Sequence, residues 1–456
     1  MNSDPKEKTR KYSIIEGSFA SIMSGAGDSY VGLFALELKA NIAQIGFLSS
    51  LPSILSPISQ VIGSRIMEKT SRKTLLVRSV LFQASMWLPI MILAFLYWLG
   101  MFQQYLPWML ILFYSLYATA GALGGPAWFS LLGDAVPENI RGKYFALRNK
   151  ICGRVSLVSF VLAAFLLDFT TTQGYILLGF ATLFAVAGIS RITSCLFFTK
   201  HEDFDLTLKK DYYFSFFQFI RKAHTNNFGK FTLFAALMNF AVAISSPFFV
   251  VYMKNDLAFT YTQIMMVNLS AAVFSLLAMP LMGRLSDKYG NRELLRLSVC
   301  ALPFVPLFWL FSDSVTYLAL VPQFVGGIAW AAFSFAASNF IYDAVTPARR
   351  GICVAYYNVL SGVGIFVGAS TGGMLSHYVN ITFMNPLLFL FLLSGILRFL
   401  VIAFMLPKIH EVREVHHPHH NVLMYWQDIH PEIRGLMGTI LSVPMQITQK
   451  FKKIYK

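Results

Sequence analysis

Asp28 sits in the run Gly25-Ala26-Gly27-Asp28-Ser29-Tyr30, 14 residues into an apolar stretch that opens near residue 14 of this 456-residue chain. At about 1.5 Å per residue, that depth is roughly 21 Å along a helix. A charge so far inside a lipid-spanning helix costs about 2.5–3.5 kcal/mol on insertion scales, so it needs a purpose or a partner. The purpose would be to carry a coupling proton or to bind a cationic group. The plain alternative is a structural carboxylate satisfied by a neighbouring hydroxyl or amide. The small residues beside it allow another backbone to approach closely.

Glu16, Arg148, Arg154, Arg191 and Arg398 also fall in or at the ends of apolar runs. Glu16 is one turn from the edge of its run and reads as interfacial. Arg148 and Arg154 open a run and lie about 9 Å apart by helical rise. Arg154 suits an anionic ligand or a partner for Asp28, whereas Arg148 suits anchoring at the end of the run. Arg191 and Arg398 are each about ten residues from a charged end, can reach headgroups or a polar helix junction, and read as structural. The amides of Asn149, Asn239, Asn268, Asn339 and Asn358 must find partners inside an apolar layer, which favours cavity or helix–helix positions. Tyr30, Tyr117, Trp128, Trp330 and Tyr357 complete the candidates for a substrate or coupling site. Aromatics are the weaker signal, because 15% of the chain is aromatic and most such side chains pack or face lipid.

The elements that position these residues are long helices. The chain is 56% apolar and only 13% charged, too little charge to cover a soluble domain of this size. Apolar blocks of the roughly 20 residues needed to cross a bilayer recur along the chain. They predict helices near 14–36, 42–64, 76–100, 108–133, 147–168 and 174–198, and near 231–253, 263–283, 297–312, 315–342, 352–375 and 384–406. The ninth, interrupted by Pro303 and Pro306, is the weakest. The domains expected are a cytoplasmic tail (1–13), a six-helix bundle (14–198), a cytoplasmic linker (199–229), a second bundle (230–406) and a cytoplasmic tail (407–456).

A net charge of +15 invites a nucleic-acid reading, but the basic residues are confined to one side. Of the 37 Lys and Arg, 33 fall in the two tails, the linker and the even–odd loops with their flanks. The opposite loops hold only Lys39 and Lys254. This is the positive-inside pattern, with both termini in the cytoplasm of a multi-pass cell-membrane protein. No nucleic acid is needed to explain it. The four cysteines (Cys152, Cys195, Cys300, Cys353) have neither disulfide nor metal spacing. The first helix lacks a cleavage site and reads as an uncleaved span.

The chain is internally repeated. Glu68-Lys69-Thr70-Ser71-Arg72-Lys73 recurs as Asp287-Lys288-Tyr289-Gly290-Asn291-Arg292, a shift of 219 that Gln44-Ile45 and Gln263-Ile264 keep. Asp134-Ala135-Val136 with Arg141-Gly142 recurs as Asp343-Ala344-Val345 with Arg350-Gly351, a shift of 209. Gly188-Ile189-x-Arg191 recurs as Gly395-Ile396-x-Arg398. Six helices per half start both halves on the same side, so the repeat is parallel, about an axis along the membrane normal.

These motifs resemble the major facilitator superfamily over residues 10–406. Gly283-x-x-x-Asp287-Lys288-x-Gly290-x-Arg292 is similar to that family's loop signature, and the copy Ser64-x-x-x-Glu68-Lys69-x-Ser71-Arg72-Lys73 has serines in place of glycines. Asp134-x-x-Pro137-x-x-x-Arg141-Gly142 is similar to its 4–5 loop pattern. The resemblance implies twelve transmembrane helices as two bundles, helix five on a central cavity, and helices six and twelve at the periphery. It says nothing of substrate. The family's proton-coupled drug antiporters usually carry an Arg in helix four and a Gly-Pro-Gly-Gly run in helix five. LYATAGALGGPAWFS and GRVSLVSFVLAAFLLD have neither, which weakens that reading.

The loop charges predict a cytoplasmic gate formed by Glu68, Lys69, Arg72, Asp134, Arg141, Gly283, Asp287, Lys288, Gly290, Arg292, Asp343 and Arg350. Within it Asp134/Arg141 and Asp287/Arg292 are the expected latches that hold one arrangement of the bundles. The bland alternative is anchoring at headgroups. Gly364-x-x-x-Gly368-x-x-x-Gly372 reads as a close-packing stripe for bundle motion. The tail holds six of nine histidines, four of them clustered at 416–420, and ends in lysines beside apolar residues. A solvated tail is the default, with its lysines on the anionic inner leaflet.

There is no P-loop, HExxH pair or G-x-S-x-G elbow, so neither an enzyme nor an ATP-driven pump is expected, and no cofactor or metal. The function expected is a monomeric secondary transporter that moves a small-molecule substrate by alternating access, with a proton as coupling ion. A non-transporting receptor or assembly factor on the same scaffold is the alternative.

Overall fold

The computed structural model describes residues 5–67, 69–202, 216–346, 349–379 and 381–412, apart from the side chains of Glu138, Asn139 and Asp287. Twelve helical passages follow one another: α1 (5–37), α2 (Ile42–Met67), α3 (Arg72–Trp98), α4 (Leu106–Ala135), α5 (Glu138–Thr172), α6 (Ile176–Phe198), α7 (Asn227–Asp256), α8 (Tyr261–Tyr289), α9 (291–308), α10 (Val315–Ala344), α11 (Arg350–Tyr378) and α12 (Pro386–Met405). A short helix, Phe216–Lys222, precedes α7. Ten passages are long and apolar enough to cross a membrane; α1 and α9, the interrupted ones, are not. In α9 the helix stops at Ala301 and resumes at Phe304 after Pro303, as the prolines predict.

Two helices start nine residues earlier than their apolar runs suggest. α1 begins at Pro5 and α5 at Glu138, because their polar first turns bury against each other. Arg10 donates to the Ala135 carbonyl (3.0 Å), Tyr144 to the Arg10 carbonyl (3.0 Å), and Thr9 and Ser13 are fully buried.

Odd-numbered helices begin at one end of the molecule, here the basic end, and even-numbered helices begin at the far end. The apolar core divides accordingly. At the far end one cluster takes side chains from both halves, with Phe34, Phe180 and Phe184 joined to Phe248, Tyr252, Tyr261, Trp309 and Phe391. At the basic end the halves have separate clusters. Leu75, Leu76, Val80 and Phe198 belong to one; Phe231, Phe234, Leu295 and Phe340 belong to the other. Burial of apolar surface therefore joins the bundles at the far end and holds each together at the basic end.

Glycines set the closest approaches. A Cβ at Gly364, Gly368 or Gly372 would fall 2.2–2.4 Å from the α7 carbonyls of Ala236, Phe240 and Ile244. The stripe thus rivets α11 to α7 inside the second half, and does not lie between the bundles. Other small residues of α11 meet α2 across the halves. Ser53 donates to the Gly362 carbonyl (3.3 Å), Ser370 to Ser50 (3.0 Å), and Gly46 lies against the Ala369 carbonyl.

Candidate functional site

Asp28 stands where α1 loses its regular geometry. The helix widens to i→i+5 bonding over Met23–Gly27 and tightens to a 3-10 turn over Asp28–Tyr30. Such mid-helix changes free backbone groups and are frequent at functional positions. Sequence explains this one. Gly25 lets α1 press on the Ser156 carbonyl of α5, and Gly27 lets it press on Trp87 of α3 and Ala187 of α6. Tyr30 donates to the Phe160 carbonyl (2.6 Å), and Tyr117 lies edge-on to Trp87. The half-buried Asp28 carboxylate accepts one bond, from the Tyr114 hydroxyl at 2.8 Å, and no cation pairs with it among the described residues. Arg154, which the sequence offered for an anionic ligand or as a partner for Asp28, is exposed and makes no ion pair with it among the described residues; it is Phe160, further along α5, that reaches Tyr30.

About three helical turns toward the basic end lies a polar cluster. Glu16, 1% exposed, is paired with Arg148 at 2.9 Å. It also accepts from Trp128 Nε1 (3.3 Å) and Ser194 Oγ (3.4 Å). Arg148 Nε donates to the Ser13 carbonyl and hydroxyl, and its guanidinium stacks over the Trp128 ring at 4.8 Å. Arg191 donates to Gln83 (2.8 Å) and Ser194 (3.2 Å). Five helices of the first half meet here. Glu16 is therefore not interfacial, and Arg148 does not merely anchor a helix end, because the early start of α1 puts protein where headgroups were expected. Arg191 is likewise held inside the bundle. The equivalent Arg398, 2% exposed, bonds the Leu302 carbonyl (2.8 Å) and Ser245 (3.1 Å) instead of reaching for headgroups.

Alongside this cluster a cleft of about 420 Å³ opens between α1 and α5, lined by Ser21, Ser24, Arg148, Asn149, Cys152 and Ser156 with small residues.

The far end is sealed by polar bonds across the halves. Asp168, near the end of α5, accepts the backbone N–H groups of Tyr261 (2.8 Å) and Thr262 (2.9 Å) at the start of α8. These are donors a helix cannot satisfy itself, and a carboxylate there is favoured by the helix dipole. The Tyr261 hydroxyl donates to Glu37, Lys254 pairs with Glu37 at 3.6 Å, and its ammonium lies over the Tyr261 ring at 3.8 Å.

At the basic end the polar bonds of the loop residues run within each half. Asp134 is paired with Arg72 at 2.6 Å, and Arg72 also donates to Ser130 (2.8 Å). In the second half Asn291 donates to Asp343 at 2.6 Å and accepts from Ser286. The partner expected for Asp134, Arg141, donates to the Gly133 and Val136 carbonyls, and Arg350 to the Tyr342 carbonyl. Arg292 is engaged by the segment after α12. Its N–H and Nε donate to Glu411 and to the Ile409 carbonyl, both at 2.7 Å, while His410 exchanges bonds with Asn227. The tail is thus docked as far as Val412 instead of solvated from residue 407. Gly290 ends α8 at φ +87°, which its glycine permits; at the equivalent place Ser71 has an ordinary φ and caps α3 through its hydroxyl. Lys288 lies near the Tyr289 ring, Lys69 contributes a backbone turn, and Gly283 faces open space. Glu68, the side chain of Asp287, the histidines at 416–420 and the terminal lysines lie outside the described residues.

Past the end of α6, His201 is 1% exposed, with both ring nitrogens unpartnered among the described residues and its ring edge-on to Phe198. Burial, with the nearby positive charges of Lys73 and Arg148, lowers its pKa to about 4.

The structure brings together Asp28, Tyr30, Tyr117 and the unforeseen Tyr114, and separately joins Trp128 with Glu16, Arg148, Gln83, Arg191 and Ser194. Asn149 lines the cleft. Tyr357 stacks on Phe231 (5.8 Å, 5° between rings), while Asn239, Trp330, Asn339 and Asn358 are half-buried and Asn268 is exposed. None of these second-half residues meets the Asp28 or Glu16 groups.

The sequence pattern of the Major Facilitator Superfamily matches residues 17–223 and 231–445. A class G tetracycline resistance protein of Vibrio anguillarum is 30% identical over 148 residues, 32% of this chain and 35% of that protein. A class H counterpart from Pasteurella multocida is 29% identical over 136 residues, 29% of this chain and 32% of that one. The chain thus spans about a third of the length of these curated relatives. A lactose permease of Klebsiella pneumoniae is 31% identical over 106 residues, 23% of this chain and 81% of that protein. Among solved structures, the nucleoside transporter NupG aligns with a TM-score of 0.66 at 14% identity, over 89% of this chain and 100% of that one. A bacterial homologue of the iron transporter ferroportin, in its inward-facing state, aligns equally well at 14% identity, over 90% and 100%. Both likenesses show the fold.

Proposed function

This chain belongs to the Major Facilitator Superfamily, a family of membrane transporters, and we propose that it is a proton-coupled secondary transporter working by alternating access. One observation carries the reading: the apolar core is shared between the halves at the far end and separate at the basic end. A seam joined at one end and divided at the other is what one extreme of a rocking cycle requires. The basic end then faces the cytoplasm, with both termini there, and the arrangement is open inward. Asp28 serves as the proton site. A half-buried carboxylate with one neutral donor and no ion pair can accept a proton without stranding a cation. The protein acts as a monomer in the cell membrane.

The matched relatives are named for resistance to a drug and for a sugar, so the solute has to be read from this chain's own cleft. The test is uptake into proteoliposomes with and without an inward pH gradient. Accumulation that collapses with the gradient, and is lost in Asp28→Asn, is the expected result. A protein that moves no solute of any class tried, and whose Asp28→Asn variant is indistinguishable from wild type, would be a receptor or assembly factor instead.

A further inference from the structure

The buried cluster around Glu16 has an excess of positive charge. It contains one carboxylate and two guanidinium groups, Arg148 and Arg191, and Arg191 has no acidic partner of its own among the described residues. Burying an uncompensated charge is costly, and amides and hydroxyls such as Gln83 and Ser194 relieve that cost only in part. The excess is therefore relieved where an anion can come close. The Arg148 side chain is 12% exposed and lines the cleft, and Glu16 at 2% does not. Within the guanidinium, Nε is taken by Ser13 and Nη2 by Glu16, whereas Nη1 has no protein partner among the described residues. An open pair of N–H donors on a cation is a fitting host for a carboxylate or phosphate oxygen. The rest of the lining is small or polar: Ser21, Ser24, Asn149 and Ser156 offer hydroxyls and an amide, and about 420 Å³ suits a small solute.

We propose that this cleft binds a small organic anion, its charged group on Arg148 and its polar body along Ser21, Ser24, Asn149 and Ser156. That the anion is cargo rests on the transport reading above; that it binds does not. The sequence pointed to Arg154 for this role, but that side chain does not line the cleft. Arg148 does, with its position fixed by Ser13, Glu16 and the Trp128 ring.

Cys152 lines the same cleft and is half-buried, so it can report occupancy. The full chain with Cys195, Cys300 and Cys353 replaced by serine is placed in nanodiscs of uncharged lipid and labelled with a maleimide. Lactate, succinate and inorganic phosphate are compared with lactamide and glycerol at constant ionic strength. At ten times its half-saturating concentration an occupying anion should slow labelling about tenfold, since about one site in eleven stays free. The neutral probes should not slow it. Arg148→Gln alone leaves Glu16 unpaired and can fail to fold, so Arg148→Gln is combined with Glu16→Gln, which keeps the cluster's charge balance; protection should vanish. Equal protection by lactamide or glycerol, or protection that survives in the double variant, overturns the proposal. So does protection seen only when phosphatidylglycerol is added to the nanodisc, which would assign the cleft to a lipid headgroup. Anion protection without uptake keeps this site and removes the transport reading. Uptake without protection by any anion does the reverse.

Discussion

Arg72 and Asn291 hold equivalent posts in the two halves: each is the first residue of its half's third helix, and each bonds the aspartate next to the end of the fourth at 2.6 Å. The contacts are alike in geometry and different in chemistry, one an ion pair and the other an amide–carboxylate bond. Arg72 is 2% exposed and Asp134 48%, so solvent screens part of the ion pair. Removing Asp134 strands the buried Arg72 guanidinium, and removing Asn291 takes a partner from the buried Ser286 hydroxyl and from the Asp343 carboxylate. Asp134→Ala is expected to cost about 2–3 kcal/mol and Asn291→Ala about 1–2 kcal/mol. Thermal unfolding of the purified variants measures the order, and an Asn291→Ala variant less stable than Asp134→Ala would contradict it.

Asp28→Asn should leave folding intact, because the amide still accepts the Tyr114 hydroxyl. Gradient-driven accumulation should fall to the equilibrium level while exchange of labelled for unlabelled solute persists, since exchange needs no net proton movement. Both are read in proteoliposomes. Loss of exchange together with accumulation would mean that Asp28 holds the solute and not the proton.

Asp168→Ala removes two charge-assisted bonds to the start of α8 and should weaken the far-end seal by about 2–4 kcal/mol. The population then shifts toward opening at that end. Spin labels at the exposed positions Gln173 and Asn255 should show a longer distance component in the variant than in the parent. An unchanged distance distribution would remove Asp168 from the seal.

His201 fixes a pH dependence of stability. Its folded pKa of about 4 lies below the unfolded value near 6.5, so between those values the unfolded chain binds more protons. Stability contributed by neutral His201 is present above pH 6.5 and is lost as the pH falls toward 4. His201→Phe should flatten that part of the melting-temperature profile while keeping the edge-on contact with Phe198. A profile unchanged by the substitution would place the acid sensitivity elsewhere.

What the sequence could disclose depended on repetition and on chain distance. Asp134 and Asp343 were visible because they recur at one shift with the same neighbours, as were the halves themselves and the weakness at Pro303. Their partners were not, since spacing along the chain cannot say whether Arg72 or Arg141 points at Asp134. Glu16 was misjudged because its distance from water was counted from the start of the apolar run. The helix starts at Pro5 and its polar first turns are covered by α4, α5 and α6. A usable signal did exist: Glu16, Arg148 and Arg191 are three charges in three apolar runs of one half, and each costs too much alone. Tyr114 offered no such mark among 20 tyrosines.

On the transport reading, the common apolar cluster at the far end is the pin of a hinge at one edge of the molecule. Contacts among Phe34, Phe180, Tyr252 and Phe391 have no preferred direction, so they hold the leaves together without fixing the angle between them. The bonds from Asp168 to two amides do fix it. Resting position is then governed by a few directional polar contacts, and the joining of the leaves by the amount of greasy surface at the pin. Substitutions of the first kind should alter which way the molecule faces at rest, as for Asp168→Ala, and those of the second should loosen the leaves in either facing.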